Sequence, residues 1–481
     1  MAGIGFELKK LFLDKSTIGY LRAYSYTAIV TTGPFVLMTS MVLIIQLMLY
    51  IFDTPYYDNQ LFIASVVYPF IFSQVFSSSF AMLITRYIAD KLYSRQFEDV
   101  LPSLFGVLAL ALAVAAVPAV LFFWNKPLSI EMKLATFVLY MELIVIWIEG
   151  VFLTALKDYK KIIQSYARGA LIAVFLALAV LITRKTETIL GVLLAMDIGV
   201  CFIATMLMVN IKRFFRQTSW RQYLFLPYLE NHFSLFMTSL FYTVSLYVPN
   251  IMIWTGPLAV LVADTYVYAP VYDVATFYAF VSILPIMIVF VTFTELHFYN
   301  KYATYFQLIT EKGNFKEIED ARADLLHVLW SELRNLIEFQ LIFTIIFLAL
   351  GNFLLPKIGL TYASLNMYNL LVLGAYCIGI LQVIVTVLLY VEDRRGSVGI
   401  TFLFLATNIA FNYVSLQLGE NTYGFGFFLA AFISLAVALW RLRYFAKRID
   451  YFVFCSQPVF SNMQPGFLTR FTNKLYPAKN L

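Results

Sequence analysis

Twelve long apolar runs recur along this 481-residue sequence, and they constrain its fold more than any other feature. About 20 consecutive apolar residues are enough to cross the ~30 Å hydrocarbon core of a bilayer. The runs therefore predict an all-α polytopic membrane protein with twelve transmembrane helices. The predicted spans cover residues 20–52, 60–88, 101–124, 131–156, 163–183, 187–211, 231–255, 272–299, 335–355, 366–391, 397–417 and 422–443.

Basic residues are distributed unevenly between the loops that these spans create. If both termini lie in the cytoplasm, 29 of the 34 Lys and Arg residues fall on the cytoplasmic side. Cytoplasmic loops carry such an excess, so we expect a multi-pass membrane protein with both termini cytoplasmic. Because the net charge of +6 arises in these loops, the expected partner is the lipid bilayer and not nucleic acid.

The span count also predicts how the chain is organised. Twelve spans divide as six and six, which favours two six-helix lobes around a central cavity, related as parallel repeats. Apolar residues at helical spacing between residues 314 and 336 predict an amphipathic helix that leads into span 9. We predict an amphipathic N-terminal segment 1–19, an N-lobe 20–211, a cytoplasmic linker 212–230, a C-lobe 231–443 with a cytoplasmic insertion 300–334, and a cytoplasmic tail 444–481.

Five carboxylates fall inside the predicted spans or at their ends: Glu142, Glu149, Asp197, Glu295 and Glu338. An ionisable group in a membrane span is costly and is a functional hypothesis by default. Glu142 and Glu149 are seven residues apart, two turns along one helix face. The functional hypothesis is an acidic wall that binds the substrate or couples transport to protons, and the alternative is interhelical hydrogen bonding.

Arg86, at the end of span 2, is a predicted partner of Glu149. Other polar residues at mid-depth predict a hydrated cavity that pairs with sugar hydroxyls, although Ser and Thr also permit close helix packing. The candidate lining residues are Tyr26, Thr31, Thr32, Gln74, Ser77, Ser78, Tyr242, Thr243, Asn250 and Asn408. Proline cannot donate a helical hydrogen bond, so Pro34, Pro249 and Pro285 are candidate hinges or plain kinks.

Sequence motifs of enzymes are missing. The sequence contains no Walker loop, nucleophile elbow or zinc motif. Its three histidines, His232, His297 and His327, form no ligand pair at helical spacing, and its three cysteines have no metal spacing. We therefore expect no cofactor, no metal site and no enzymatic activity.

Two sequence blocks carry a resemblance to a known family. The first is the opening MAGIGFELKKL followed by LRAY at residues 21–24 and TGPF at residues 32–35. The second is Tyr272-Asp273, Leu284-Pro285 and FYNKY at residues 298–302. Over nearly the whole chain, the sequence resembles the PelG family of Pel exopolysaccharide transporters, which belongs to a superfamily of multidrug, oligosaccharidyl-lipid and polysaccharide exporters.

The resemblance implies two six-helix lobes and export of a cationic amino-sugar polymer across the bacterial cytoplasmic membrane for the biofilm matrix. The path between the lobes would work by alternating access or resemble a channel, lined by acidic and polar residues. It also implies a cytoplasmic glycosyltransferase and membrane-anchored Pel complex proteins as partners, one of which senses cyclic di-GMP. Four alternatives remain open: a lipid-linked oligosaccharide flippase of the same fold, a cation-coupled multidrug exporter, a membrane acyltransferase using His232, and a scaffold that does not transport.

Overall fold

The computed structural model describes residues 16–154, 159–183, 188–217, 219–310, 313–452 and 466–476, and these residues are almost entirely helical. The amphipathic segment predicted at residues 1–19 lies almost wholly outside them. In chain order the helices are α1 (Thr17–Ile51), α2 (Tyr56–Tyr93), α3 (Val100–Phe123), α4 (Ile130–Thr154), α5 (Tyr159–Thr183), α6 (Thr188–Phe214), α7 (Leu226–Asn231), α8 (Phe233–Ile253), α9 (Pro270–Val281), α10 (Leu284–Thr292), α11 (Tyr299–Thr310), α12 (Phe315–Leu354), α13 (Tyr362–Tyr390), α14 (Arg394–Leu418), α15 (Phe425–Ala446) and α16 (Phe467–Leu475).

Among the described residues, twelve helical stretches are long and apolar enough to cross a membrane, which confirms the predicted number of spans. The predicted ends agree with the helices to within a few residues for most spans. The largest difference concerns span 9, because α12 is one continuous helix of 40 residues. Its first half is the predicted amphipathic helix, and its second half is the span.

The start of α12 is fixed by a capping box at Asn314. The Asn314 side chain accepts a hydrogen bond from the backbone N–H of Glu317 at 2.8 Å, and the Glu317 carboxylate accepts one from the backbone N–H of Asn314 at 2.9 Å. These reciprocal bonds satisfy two of the donors that a helix N-terminus leaves free. The polar insertion and the apolar span therefore share a single helix.

Span 8 is interrupted, and the interruption differs from the predicted kink at Pro285. Helix α9 ends at Val281 and α10 begins at Leu284, which places Pro285 in the first turn of a new helix. Proline is well tolerated there because that N–H has no partner within the helix. A π-helical turn, Phe293–Phe298, then connects α10 to α11.

A β-hairpin between spans 7 and 8 was not predicted from the sequence. Strands β1 (Val260–Val262) and β2 (Tyr266–Tyr268) pair antiparallel, with Val260 opposite Tyr268. Ala263 and Asp264 at the turn both have positive φ, near 51° and 45°, as tight hairpin turns require. Strands of three residues are too short for alternation to reveal them.

The helices form two compact units. Unit 1 comprises Met1–Thr32, Val248–Leu258 and Ala269–Pro458, and unit 2 comprises Gly33–Tyr247, Ala259–Tyr268 and Val459–Leu481. The predicted lobes were divided at the linker, whereas the units divide the chain inside α1 and inside α8. Both divisions fall within two residues of a proline, Pro34 and Pro249. A hinge role for these prolines stays a prediction.

Close helix packing in unit 2 fixes the position of α6. Helix α6 packs against both α4 and α5. At the crossing with α5, a Cβ atom on Gly169 would lie 2.6 Å from the carbonyl oxygen of Gly199, and one on Gly199 would lie 2.7 Å from that of Gly169. Small residues allow such backbone approach between membrane helices. This crossing holds α6 in place two residues from Asp197.

Candidate substrate and coupling site

Glu142 on α4 and Asp197 on α6 are brought together in unit 2. Cys201 lies one turn beyond Asp197, and its thiol lies close enough to the Glu142 carboxylate to interact with it. Glu142 and Asp197 also interact electrostatically. The two carboxyl groups therefore form one site, which we call the acidic pair. The sequence suggested both residues, but nothing in it placed Cys201 beside them.

The acidic pair is poorly supplied with hydrogen-bond donors. Asp197 is buried, and neither of its carboxylate oxygens has a hydrogen-bond partner among the described residues. The same holds for Oε2 of Glu142. Burying a charge is costly unless it is paired and hydrogen-bonded. The pair therefore suits a bound cation or proton.

Glu149 lies two turns along α4 from Glu142 and faces a different neighbour. It is fully buried, and both of its carboxylate oxygens lack a hydrogen-bond partner within the described part of the chain. It interacts electrostatically with Tyr166 on α5. The predicted pair with Arg86 is wrong, because Arg86 binds Asp90 on its own helix at 3.3 Å.

The other two predicted carboxylates are not placed with the acidic pair. Glu338 lies in the exposed part of α12, where it pairs with Arg334 one turn away at 3.8 Å. It belongs to unit 1, whereas the acidic pair belongs to unit 2. The Glu295 side chain lies outside the described residues.

Most of the hydroxyl groups predicted to line a cavity bond to their own helix. Thr31 donates to the carbonyl of Thr27 at 2.7 Å, and Thr32 donates to that of Ala28 at 2.8 Å. Ser77 donates to Ser73 at 2.7 Å, and Ser78 donates to Val75 at 3.2 Å, in the same way. Such local bonds satisfy the hydroxyl proton and leave the oxygen to accept from a ligand.

Two other predicted lining residues, Gln74 and Asn250, bond to side chains of other helices, whereas Asn408 bonds within its own helix. In unit 2 the Tyr247 hydroxyl donates to Oε1 of Gln74. In unit 1 the buried Asn408 accepts from Nδ2 of Asn412, one turn along α14. Asn250 donates to Asp273, as described below. Tyr26 and Tyr242 are half-buried, and Thr243 is buried.

A further intramembrane carboxylate, Asp273, was not selected from the sequence as a candidate site. It lies in the first turn of α9, and its oxygens accept from Nδ2 of Asn250 at 2.6 Å, from Nε1 of Trp254 at 2.9 Å and from the backbone N–H of Ala269 at 3.0 Å. These bonds tie the end of α8 to the start of α9. The signal was present, because Tyr272-Asp273 is one of the motifs quoted above.

The chain matches a known protein family. The model of the PelG family, described as "Putative exopolysaccharide Exporter (EPS-E)", matches residues 1–454. The chain belongs to the PelG family. No curated protein sequence matches it.

The solved structures of similar fold are transporters. An outward-facing multidrug resistance MATE family transporter of the MOP superfamily has a TM-score of 0.55 at 14% identity, covering 89% of this chain and 96% of its own. The MATE transporter ClbM in complex with Rb⁺ has a TM-score of 0.53 at 14% identity, with the same coverage. A MOP superfamily transporter from Pyrococcus furiosus has a TM-score of 0.52 at 13% identity, again with the same coverage. At such low identity these neighbours show the fold alone.

Membership of the PelG family and the MATE-like fold agree with each other. Together they confirm the predicted fold class, and they identify the chain as a multi-pass membrane protein of an exporter family. The acidic pair, Glu149 and Asp273 are thus side chains of a PelG-family transporter fold.

Proposed function

We propose that this protein exports a Pel-type exopolysaccharide, a cationic amino-sugar polymer, across the bacterial cytoplasmic membrane for the biofilm matrix. PelG family membership supports export of an exopolysaccharide. The residues of this chain support one part of the proposal, namely that the polymer is cationic. We propose further that the glycosyltransferase and the cyclic di-GMP-sensing Pel proteins implied by the resemblance are its partners.

The observation that carries the proposal is the acidic pair. Asp197 presents two buried carboxylate oxygens, and Glu142 presents one, that accept no hydrogen bond from any described residue. An ammonium group supplies three donors and a positive charge, so it offsets both the missing hydrogen bonds and the buried charge. Attraction between opposite charges is also much stronger at low dielectric than in water.

A cation-coupled multidrug exporter of the same fold is the second candidate. The same unpartnered oxygens of Asp197 and Glu142 support it, because a proton or a small cation would satisfy them as an ammonium group would. The two candidates differ in what accumulates outside the cell. Export of polymer leaves cationic polysaccharide in the medium, whereas a multidrug exporter lowers the intracellular concentration of small cationic compounds.

The test replaces each member of the acidic pair by its neutral amide. A strain that lacks the protein is complemented with wild-type, Asp197→Asn or Glu142→Gln protein at equal membrane abundance, and secreted cationic polysaccharide is measured. We expect secretion to fall at least about tenfold, which corresponds to about 1.4 kcal/mol of lost interaction. Glu338→Gln is the matched control, because Glu338 is exposed and paired with Arg334; its secretion should stay at the wild-type level.

Three results would count against the proposal. Normal secretion from both amide variants would mean that the acidic pair is structural. Unchanged secretion after deletion of the protein would remove the Pel assignment and leave the lipid-linked flippase as the next hypothesis. Normal polysaccharide secretion together with increased sensitivity to cationic drugs in the Asp197→Asn strain would favour the multidrug exporter.

A further inference from the structure

The C-terminal helix α16 lies beyond the residues that the PelG family model matches, which end at residue 454. Its position in unit 2 is fixed by Glu230 on α7. The carboxylate of Glu230 accepts hydrogen bonds from the backbone N–H of Thr469 at 3.1 Å and from the Thr469 hydroxyl at 2.6 Å. It also accepts from the backbone N–H groups of Phe467 and Leu468. Glu230 thus satisfies the free donors at the helix N-terminus.

Two further contacts make this attachment specific. A Cβ atom on Gly466 would lie 1.6 Å from Oε1 of Glu230, so only glycine permits this approach. At the other end of α16, the hydroxyl of Tyr476 accepts a hydrogen bond from the backbone N–H of Tyr223 at 3.4 Å. The hydrogen bonds from Thr469 lower the pKa of Glu230, so its carboxylate stays ionised near neutral pH.

The attachment holds α16 beside the ends of two candidate membrane spans. Helix α7 ends at Asn231, two residues before span 7 begins at Phe233. Tyr223 lies in the linker that follows span 6, which ends at Phe214. Both contacts of α16 are therefore with the short segment between two membrane spans. In the same region Trp220 is 93% exposed, and aromatic residues of this kind are enriched at membrane–water interfaces.

The exposed face of α16 is apolar and basic. Phe467, Phe471 and Leu475 are all exposed, and they share one face because four residues make about one helical turn. Arg470 and Lys474 lie exposed beside this stripe. Residues 466–476 contain no Asp or Glu. The opposite face, which includes the buried Thr472, is directed towards the protein.

We propose that α16 lies along the membrane surface, with Phe467, Phe471 and Leu475 inserted at the headgroup–acyl boundary and Arg470 and Lys474 against anionic lipid phosphates. An amphipathic helix with aromatic residues on one face and basic residues beside them is typical of interfacial membrane binding. Each basic residue near an anionic surface strengthens such binding about fivefold. The inference is independent of the transported substrate.

Site-specific photo-crosslinking of the full-length protein in cells tests this. Benzoylphenylalanine replaces Phe471, a conservative change at an exposed aromatic position, and the intact mass of the purified product identifies the adduct. We expect phospholipid adducts. Asn473, which is exposed on the same helix but lies outside the apolar stripe, is the matched control position and should give at least about fivefold less adduct. Benzoylphenylalanine at Phe467 is a second probe of the stripe.

A further variant separates lipid charge from simple proximity. In the Phe471 probe protein, Arg470→Gln with Lys474→Gln should reduce the yield of anionic phospholipid adducts several-fold, while zwitterionic adducts should change less. Adducts to another protein at Phe471, in place of lipid, would overturn the proposal and make this face a protein-docking surface. Equal adduct yields at Phe471 and Asn473, or no adduct at Phe467 and Phe471, would overturn it as well.

Discussion

Asp197 in unit 2 and Asp273 in unit 1 are chemically identical side chains inside or at the end of a membrane span, and their surroundings are opposite. Asp273 accepts hydrogen bonds from a side-chain amide, an indole and a backbone N–H. Asp197 accepts none from the described residues. The Asp273 carboxylate has the donors that it needs to hold two helix ends together, whereas the Asp197 carboxylate lacks them.

This difference in hydrogen bonding distinguishes a structural from a functional carboxylate in a membrane protein. Breaking a satisfied buried network leaves its remaining members unpaired, so the protein should lose stability. Neutralising an unsatisfied buried charge removes a penalty, so the protein should keep or gain stability and lose only the ligand that the charge attracted. Stability and transport should therefore respond in opposite ways at the two sites.

The largest expected effect comes from Asp273→Ala. The substitution leaves the donors of Asn250, Trp254 and Ala269 without their acceptor, and we expect the free energy of unfolding to fall by about 3 kcal/mol. The measurement is the unfolding midpoint of the purified protein in detergent, together with its abundance in membranes. Asp197→Ala is the comparison and should not lower the midpoint. If both variants lose stability equally, the contrast between the two sites is not real.

The next prediction moves the acidic pair without changing its charge. A methyl group on Gly199 would lie 2.5 Å from the Cβ atom of Ala173 on α5, so Gly199→Ala should displace α6 and cost about 2 kcal/mol of stability. Transport should fall with it. At Gly150 on α4, no described atom beyond the adjacent residues and the local helix backbone lies within 4 Å of an added Cβ. Gly150→Ala is therefore the matched control and should raise stability by about 0.5–1 kcal/mol, and a loss there would contradict the packing.

A double-mutant cycle tests whether Glu142 and Asp197 act on the same cation. If they do, the loss of transport in the Asp197→Asn, Glu142→Gln double variant should be smaller than the sum of the two single losses by about 1 kcal/mol. The readout is the amount of secreted polysaccharide at equal membrane abundance. Strict additivity would show that the two carboxylates act independently and would remove the basis for treating them as one site.

The smallest effect is expected at the hydroxyl groups that bond to their own helix. Thr31→Val removes a hydrogen bond that is local to α1, so stability should change by less than about 1 kcal/mol and secretion should stay near the wild-type level. Thr32→Val, which removes the equivalent bond to Ala28, provides a replicate. A tenfold loss of secretion in either variant would show that the hydroxyl contacts the substrate.

The spans are visible in the sequence because a span is recognised by local properties, its length and its apolar composition. Length and apolar composition predicted all twelve, and the helical spacing between residues 314 and 336 predicted the amphipathic part of α12. Sequence analysis also selected Glu142, Glu149 and Asp197 as buried carboxylates, since charge inside an apolar run is visible in the sequence. It missed the hairpin, whose strands are only three residues long.

Which groups meet could not be read from the sequence. Arg86 was expected to bind Glu149, yet it binds Asp90, which is one helical turn away and needs no neighbouring helix. Cys201 beside Glu142 and Asn250 beside Asp273 depend on how helices pack. The division of the chain inside α1 and α8 was likewise hidden, because an unbroken apolar run gives no sign that its two halves belong to different units.

The sequence by itself therefore determined that this chain crosses the membrane twelve times and buries carboxylates in doing so, because both properties depend on local composition. Only the tertiary structure decided which of those carboxylates are satisfied. Hydrogen bonding requires donors within about 3 Å, and in this protein the donors that meet Asp273 lie 4–23 residues away along the chain. No described residue supplies such a donor to Asp197. This lack is a property of helix packing, and it marks the candidate site.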